Sequence, residues 1–451
     1  MREISDALGL PGTWLETGQG SLPSGFAVSD LASASVAAVG EGVAALRTAL
    51  GGTAPAVTVD RRLASLWFSF SIDPQGWQLP PAWDDLAGDY RAADGWIKLH
   101  TNAPHHRAAA IRALGCAETR EDVARAVAAW QASELEAAVV SEGGVAAEMR
   151  DLTAWKSHPQ GAAVAAEPLI AWDRARPGKT RDWDGTPERP LQGLRVLDLT
   201  RILAGPVATR ALAAFGAEVL RIDPVDWDEP SLAPDITLGK RCARLDLRSP
   251  SGQARFAELL QSADLFVNGY RPDALEWLGL GAAWREKTAP QMMEIRLCAY
   301  GWTGPWALRR GYDSLVQMSS GIAEAGSTWA GVAKPTPMPV QALDHASGYL
   351  MAGAALSALR DAVAGRGLRN ARLSLARTAA LLTAHRADDR APFPTAGEAD
   401  FAGTLEHTPW GPARRLLPPL KVEGTPMHWD RPACDLGSAV PEWQSPTKVF
   451  A

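Results

Sequence analysis

Apolar positions recur along this chain with two periods, and the change from one to the other divides it. Asp30-Leu31-Ala32-Ser33 opens a run of Ala and Val at helical spacing that ends near Leu50, before Gly51-Gly52. Ala56-Val57-Thr58-Val59-Asp60 then alternates as a strand and leads into Arg61–Leu66. Far downstream the same order recurs: Asp344-His345-Ala346-Ser347, a helix expected over Ala346–Ala364, the breaks Gly365 and Gly367, and Arg372–Arg377. The repetition reads as an internal duplication in which residues 1–90 form a partial first copy.

Between the copies, residues 91–170 read as a small α+β unit. Asp94-Gly95 turns into the alternating strand Trp96–His100, followed by helices expected over Pro104–Leu114, Arg120–Trp130 and Glu134–Glu142. Residues 171–192 are charged and rich in Pro and Gly, the composition of a linker. From residue 193 to 384 strands and helices alternate: Leu194–Leu199, helix Val207–Phe215, Ala217–Asp223, Ala243–Leu247, helix Ser251–Gln261, Asp264–Asn268, helix Ala274–Leu278 and Met293–Leu297. That alternation predicts an α/β fold with a parallel sheet and ligand binding at the C-terminal ends of its strands. Residues 385–451 turn Pro-rich and are expected to wrap over the rest as a tail.

Composition narrows the chemistry. A net charge of −6 without any Lys/Arg run argues against nucleic acid as a partner. Cys116, Cys242, Cys298 and Cys434 lie far apart with no ligand spacing, as expected of reduced thiols in a cytoplasmic protein. MREISDALGLPG lacks the pattern of a signal peptide, and no Ala-rich segment is long and apolar enough to span a membrane. His100, His105, His106 and His158 have no carboxylate or thiol partners at metal-binding spacing, so they read as surface or packing residues and no metal is expected. The turn Ile202-Leu203-Ala204-Gly205-Pro206 lacks GxGxxG, which removes a dinucleotide, and no GxxxxGK[ST], HExxH or GxSxG occurs.

The extended run Pro337–Leu343 delivers Asp344 to the start of its helix. A carboxylate there faces unpaired N–H groups and the positive end of the helix dipole, which favours its ionised form. Its plain role is an N-cap; its chemical role is a nucleophile toward an activated carbonyl.

Residues 191–380 resemble the large domain of the class III CoA-transferases, the carnitine/bile-acid type. The resemblance rests on Gly193–Arg201 with Ala204-Gly205-Pro206, Phe215–Val219, Gly239-Lys240-Arg241 with Leu245-Asp246-Leu247, and Tyr270-Arg271-Pro272 with Leu278-Gly279-Leu280. Tyr300–Pro305, Gly311-Tyr312-Asp313 and the Asp344 stretch continue it. Residues 94–168 resemble the family's small domain, through Asp94–Ile97 and His158–Gly161, but stand before the large domain instead of after it. The resemblance implies a Rossmann-like large domain plus a small α+β domain, in an interlocked homodimer. It implies an acyl-CoA:carboxylate CoA-transferase in which Asp344 attacks the thioester and passes through an aspartyl-CoA intermediate, with acyl-CoA and a small carboxylic acid as partners. CoA needs cations for its phosphates, and Lys240, Arg241 and Arg271 are the expected ones. The CoA path is expected along Leu203, Ala204, Gly269, Tyr270, Ala299 and Tyr300. Pro224 and Trp277 stand where some members place arginines, and Tyr312 where the racemase branch places histidine. An acyl-CoA racemase or epimerase, with His345 as its opening, and a catalytically inactive CoA-binding protein are the alternative readings.

Overall fold

The computed structural model describes residues 1–444; the last seven residues of the expected tail, 445–451, lie outside them. The elements that position the candidate site are, in chain order, helix α1 (Val28–Ala49), β1 (Ala171–Trp172), β2 (Arg195–Leu199), α2 (Ala204–Ala213), β3 (Glu218–Asp223), β4 (Lys240–Arg244), β5 (Leu265–Asn268), β6 (Met293–Cys298), α3 (Ala342–Val363) and β7 (Ala371–Ser374). One sheet of seven strands runs in the order β4-β3-β2-β5-β6-β7-β1. All neighbours are parallel except β1, which closes the edge antiparallel to β7. Near-continuous apolar strands such as Val196, Leu197 and Leu199 suit a sheet covered on both faces, and all three are fully buried. The order reverses between β2 and β5, so their C-terminal ends diverge and leave a crevice there.

Asp344 reaches that crevice through close helix packing. A Cβ at Gly348 would lie 2.4 Å from the Ala204 carbonyl oxygen and 2.7 Å from Val207 Cβ, so only glycine lets α3 rest on α2 one turn beyond Asp344. Gly348→Ala is expected to destabilise the protein by about 1–3 kcal/mol, read as a lowered denaturation midpoint at unchanged slope.

α1 and α3 lie side by side. Gly42 faces Leu356, the same position counted from each helix start, and Ala38 faces Gly353, so the helices run in the same direction. Their N-cap residues share an uncommon backbone geometry, φ −74°, ψ 60° at Ala27 and φ −76°, ψ 64° at Gln341. Each helix leads through a four-residue strand, Val57–Asp60 or Ala371–Ser374, into a further helix. The small unit is a three-stranded antiparallel sheet, Gly88–Arg91, Trp96–Leu99 and Ala146–Glu148, with helices packed against it.

Several sequence expectations change. The first 29 residues, where the sequence pattern named no element, contain helix Arg2–Leu8 and strands Leu15–Thr17 and Ser24–Phe26. The strand expected over 243–247 is β4, which starts earlier and ends at Arg244. Ala274–Leu278 is a succession of turns, and helices form instead over Ala282–Thr288, Asp313–Ser319 and Ile322–Ala330. The tail does more than wrap. Arg386–Asp389 pairs with Ser24–Phe26, Gly411–Arg415 with Ile72–Pro74, and Leu420–Val422 with Val57–Asp60. Stacking of Trp67 on Trp429, centroids 5.3 Å apart, adds an aromatic seam between the first segment and the tail.

Candidate active site

α3 starts at Ala342 rather than Ala346, which moves Asp344 from the cap into the first turn. The expectation that α3's free N–H groups support the Asp344 carboxylate is thereby corrected. The Asp344 backbone N–H donates to Asp313 Oδ2 at 2.9 Å, so Asp313 takes the dipole's positive end. Gln317 fixes this arrangement: its side-chain amide donates to Asp313, and its carbonyl oxygen accepts from the Met338 N–H at 2.8 Å. The extended run before α3 is thus tied to the acid that caps it. Burial first, and then the neighbouring Asp313 charge, push the Asp344 pKa well above the usual carboxylate range. Burial raises Asp313 to about 6 despite its hydrogen bonds. The two acids titrate as a pair, which makes Asp344 a basic carboxylate rather than a firmly ionised one.

Asp344 stands where two cavities meet, and Ile202 and Tyr312 line both with it. The first, about 360 Å³, follows the crevice over Thr200, Gly269, Ala299 and Leu375, each just past the end of a sheet strand. It continues into a wider groove lined by Pro224, Asp246, Arg248 and Trp277, and Arg201, Tyr270 and Arg271 belong to both. The first cavity is lined by Arg201, Arg271, Arg309 and Arg310 against Asp344 alone, whereas the wider groove sets Asp223, Asp226 and Asp246 against its arginines. Arg201 lies between the rings of Trp227 and Tyr270, 4.4 and 4.5 Å from their centroids, and donates to the Tyr270 hydroxyl at 2.7 Å. Arg310 is lowered by burial and then by repulsion from Arg271, and His105 by burial and then by Arg310 and Arg201. Cations that repel one another along a half-buried groove favour an anion between them.

A buried network positions this wall. Arg221 holds Asp223 and Glu229; Glu229 in turn accepts from the Ile202 backbone N–H at 2.7 Å and the Trp227 ring N–H at 2.9 Å. Ile202 is the one non-glycine residue among those described with positive φ, 65°. For a β-branched side chain that conformation is strained, and here it sits at the junction of the two cavities.

The residues predicted from sequence divide. Ala204, Gly269, Tyr270, Arg271 and Ala299 line the first cavity, and Leu203 lines the second. Tyr300 lies beneath, 1% exposed, its hydroxyl on Ser319 Oγ at 3.1 Å. Lys240 does not reach the groove: its ammonium is fully buried, 3.0 Å from Asp198 Oδ2 and 2.9 Å from the Pro206 carbonyl. Arg241 lies at the start of β4, the opposite end from the crevice, bonded to the Glu442 carbonyl and 3.5 Å from Glu218. Both corrections share one cause: the Gly-Lys-Arg triplet begins a parallel strand, whereas the groove follows strand ends. Asp30 is half-exposed and paired with Arg61 at 2.7 Å, away from both cavities. His105 and His106 line the first cavity and His100 the second, closer to the site than packing roles implied. Arg310, Arg248 and Asp313 were missed as site residues. Arg248 and Arg310 had only position as a signal, in a turn after a strand and beside a glycine, whereas Asp313 stood within the Gly311-Tyr312-Asp313 segment without a role.

A parallel α/β protein with a cationic groove at its switch point and a buried acid at the groove's end is a class built to bind an anionic ligand beside a reactive carboxylate. Residues 191–405, just under half of the chain, match the model of CoA-transferase family III. It is 34% identical over 187 residues to the Mycobacterium tuberculosis protein named "Probable fatty acyl-CoA transferase Rv3272", covering 38% of this chain and 47% of that one. It is 32% identical over 206 residues to succinyl-CoA:glutarate CoA-transferase of Mus musculus, covering 41% and 47%. The orthorhombic crystal structure of Rv3272 from M. tuberculosis is 32% identical and aligns over 44% of this chain and 57% of that one, with a TM-score of 0.41. The chain spans about half the length of the curated relatives it matches.

Removing one groove cation tests the anion reading. Arg310→Ala is expected to weaken binding of a phosphate-bearing anion such as pyrophosphate about ten- to hundredfold, measured by calorimetry, and to reduce its salt dependence.

Proposed function

We propose that the protein is an acyl-CoA:carboxylate CoA-transferase acting through a covalent intermediate on Asp344. The observation that carries this reading is the position of Asp344 at the meeting point of the cationic groove and a second cavity that no lysine or arginine lines. CoA would lie along the groove, its phosphates near Arg201, Arg271 and Arg310 and its thioester at Asp344. The Asp344 oxygen attacks the thioester carbonyl, the C–S bond breaks, and a CoA thiolate and an aspartyl–acyl anhydride form. The thiolate attacks the aspartyl carbonyl, releasing the first acid and leaving an aspartyl-CoA thioester. The acceptor carboxylate attacks that thioester, the thiolate leaves, and its attack on the acceptor's carbonyl forms the new acyl-CoA and restores Asp344.

A carboxylate with a raised pKa suits this chemistry, because once deprotonated it is a stronger nucleophile than an ordinary aspartate. It also binds the attacking proton competitor more tightly, so the rate should climb with pH beyond the usual carboxylate range. No helix among the described residues is long and apolar enough to cross a membrane.

The test is to incubate the protein with acyl-CoA esters, trap with hydroxylamine or borohydride, and map the modified peptide. Modification at Asp344 supports the proposal. A label on Asp30 would assign the reaction to the other helix, and no label alongside measurable CoA binding would remove the covalent route.

A further inference from the structure

The second cavity, about 260 Å³, lies across Asp344 from the cationic groove and differs from it in chemistry. Phe68 and Phe70 come from the N-terminal segment, Trp83 from the approach to the small unit, and Leu203, Leu232 and Val340 from the α/β half. Three parts of the chain therefore converge on it, and Ser69, Asn102, Ser314 and Gln341 set uncharged polar groups among the apolar side chains. No lysine or arginine lines it among the described residues.

The charged groups around it are already matched. Asp235, on the wall, is held by Arg210 at 2.6 Å and Arg415 at 3.2 Å, and Arg415 is itself paired with Glu406 at 2.7 Å. Its other oxygen contacts come from the Ser71 N–H and hydroxyl. Asp313 and Asp344 contribute negative charge on the side facing the groove. His100 stacks on Tyr312 at 4.2 Å and His345 on Phe68 at 5.3 Å. Burial lowers these histidines to about 4 and about 3, so both are neutral at pH 7 and neither replaces a missing cation.

We propose that this cavity receives the acyl group of an apolar monocarboxylic acid, aliphatic or aromatic, and selects against acids with a second carboxylate. The inference rests on the function proposed above and names its substrate class. Size agrees: an apolar cavity of about 150 Å³ accommodates benzene, and this one is larger. Charge gives the discrimination. A second carboxylate would enter a cavity whose lining carries Asp313 and Asp344 and no lysine or arginine to receive it. On the groove side the opposite holds, so the two sides of Asp344 sort a phosphate-bearing carrier from an uncharged acyl tail.

The experiment compares two unreactive thioethers of equal length, S-hexyl-CoA and S-(5-carboxypentyl)-CoA, by calorimetry with the full chain. S-hexyl-CoA is expected to bind about a hundredfold more tightly. Equal binding, or preference for the carboxylated analogue, overturns the substrate class. Failure of both to bind overturns it together with the CoA groove. Neither analogue can be transferred, so this result is independent of whether Asp344 forms an adduct, which the trapping experiment reads separately. Phe70→Arg places a cation on the cavity rim, where the native side chain is 37% exposed. It should narrow the preference to within about threefold through tighter binding of the carboxylated analogue. An unchanged preference in this variant, at an unchanged melting temperature, would count against the cavity as the acyl site.

Discussion

Asp344→Asn is expected to reduce acyl transfer at least about a thousandfold and, in the same variant, to raise the melting temperature. The first effect follows from removing the proposed nucleophile: a carboxamide neither attacks a thioester nor gives a trappable adduct. The second follows from the sign of the pKa shift. A buried acid whose folded pKa lies above its unfolded value binds its proton more tightly in the native state, so stability falls as pH rises from about 3.8 through the folded pKa. At pH 7 the native pair Asp344–Asp313 therefore opposes folding, and a neutral amide relieves it by about 1–3 kcal/mol. Thermal denaturation at pH 7 and pH 4 checks the sign, since the gain should shrink toward the acid end. Asp313→Asn gives the complementary reading. It removes the like charge but leaves the burial, so the rise of activity with pH should move to lower pH without disappearing. A melting temperature that falls in Asp344→Asn would mean that this carboxylate is stabilised by its surroundings, against the electrostatics described above.

Lys240→Met is expected to cost about 3–5 kcal/mol of folding stability, because it leaves Asp198 charged and unpaired in a dry interior. Asp198 also accepts from the Thr200 N–H and from the Thr200 and Thr209 hydroxyls, so its loss of a counter-ion loosens the turn from β2 into α2. Denaturant unfolding reads the loss directly. Any change in CoA binding should follow unfolding, and a salt dependence of binding equal to wild type would separate a buried structural cation from one that meets phosphate. A fully stable variant with weakened CoA binding would restore Lys240 to the groove.

How much of this was legible in the sequence depends on which physical rule governed each element. The strands β2, β3, β5 and β6 were readable because a parallel sheet covered on both faces demands near-continuous apolar runs, as in Val196-Leu197 and Leu265-Phe266-Val267, all buried. Ala274–Leu278 misled for a related reason: its composition suits a helix, but Pro272 and Gly279 bracket a segment too short to nucleate one. Asp344 could be picked out by its position before a long helix. Its electrostatics could not, because the partner that decides them, Asp313, is distant in sequence and comes from another helix. Lys240 and Arg241 were attractive as cations in a short motif, yet the end of a strand on which a residue lies is a tertiary fact. The second cavity was wholly hidden: Phe68 and Trp83 acquire meaning only when the N-terminal segment folds against β2's following turn and the run before α3.

The side-by-side pairing of α1 and α3 has a consequence for how the molecule can change. In an assembly of identical chains, every substitution appears on both sides of the symmetry axis and must be tolerated in both settings. Here the facing helices are encoded by separate stretches, so Gly42 can be small precisely where Leu356 is large. Asp30, third in its helix as Asp344 is in the other, has become a surface ion-pair partner of Arg61 without any demand that Asp344 follow. Two helices encoded separately can therefore diverge, one keeping a buried carboxylate and the other exposing its own, while the first still shapes the space beside the second.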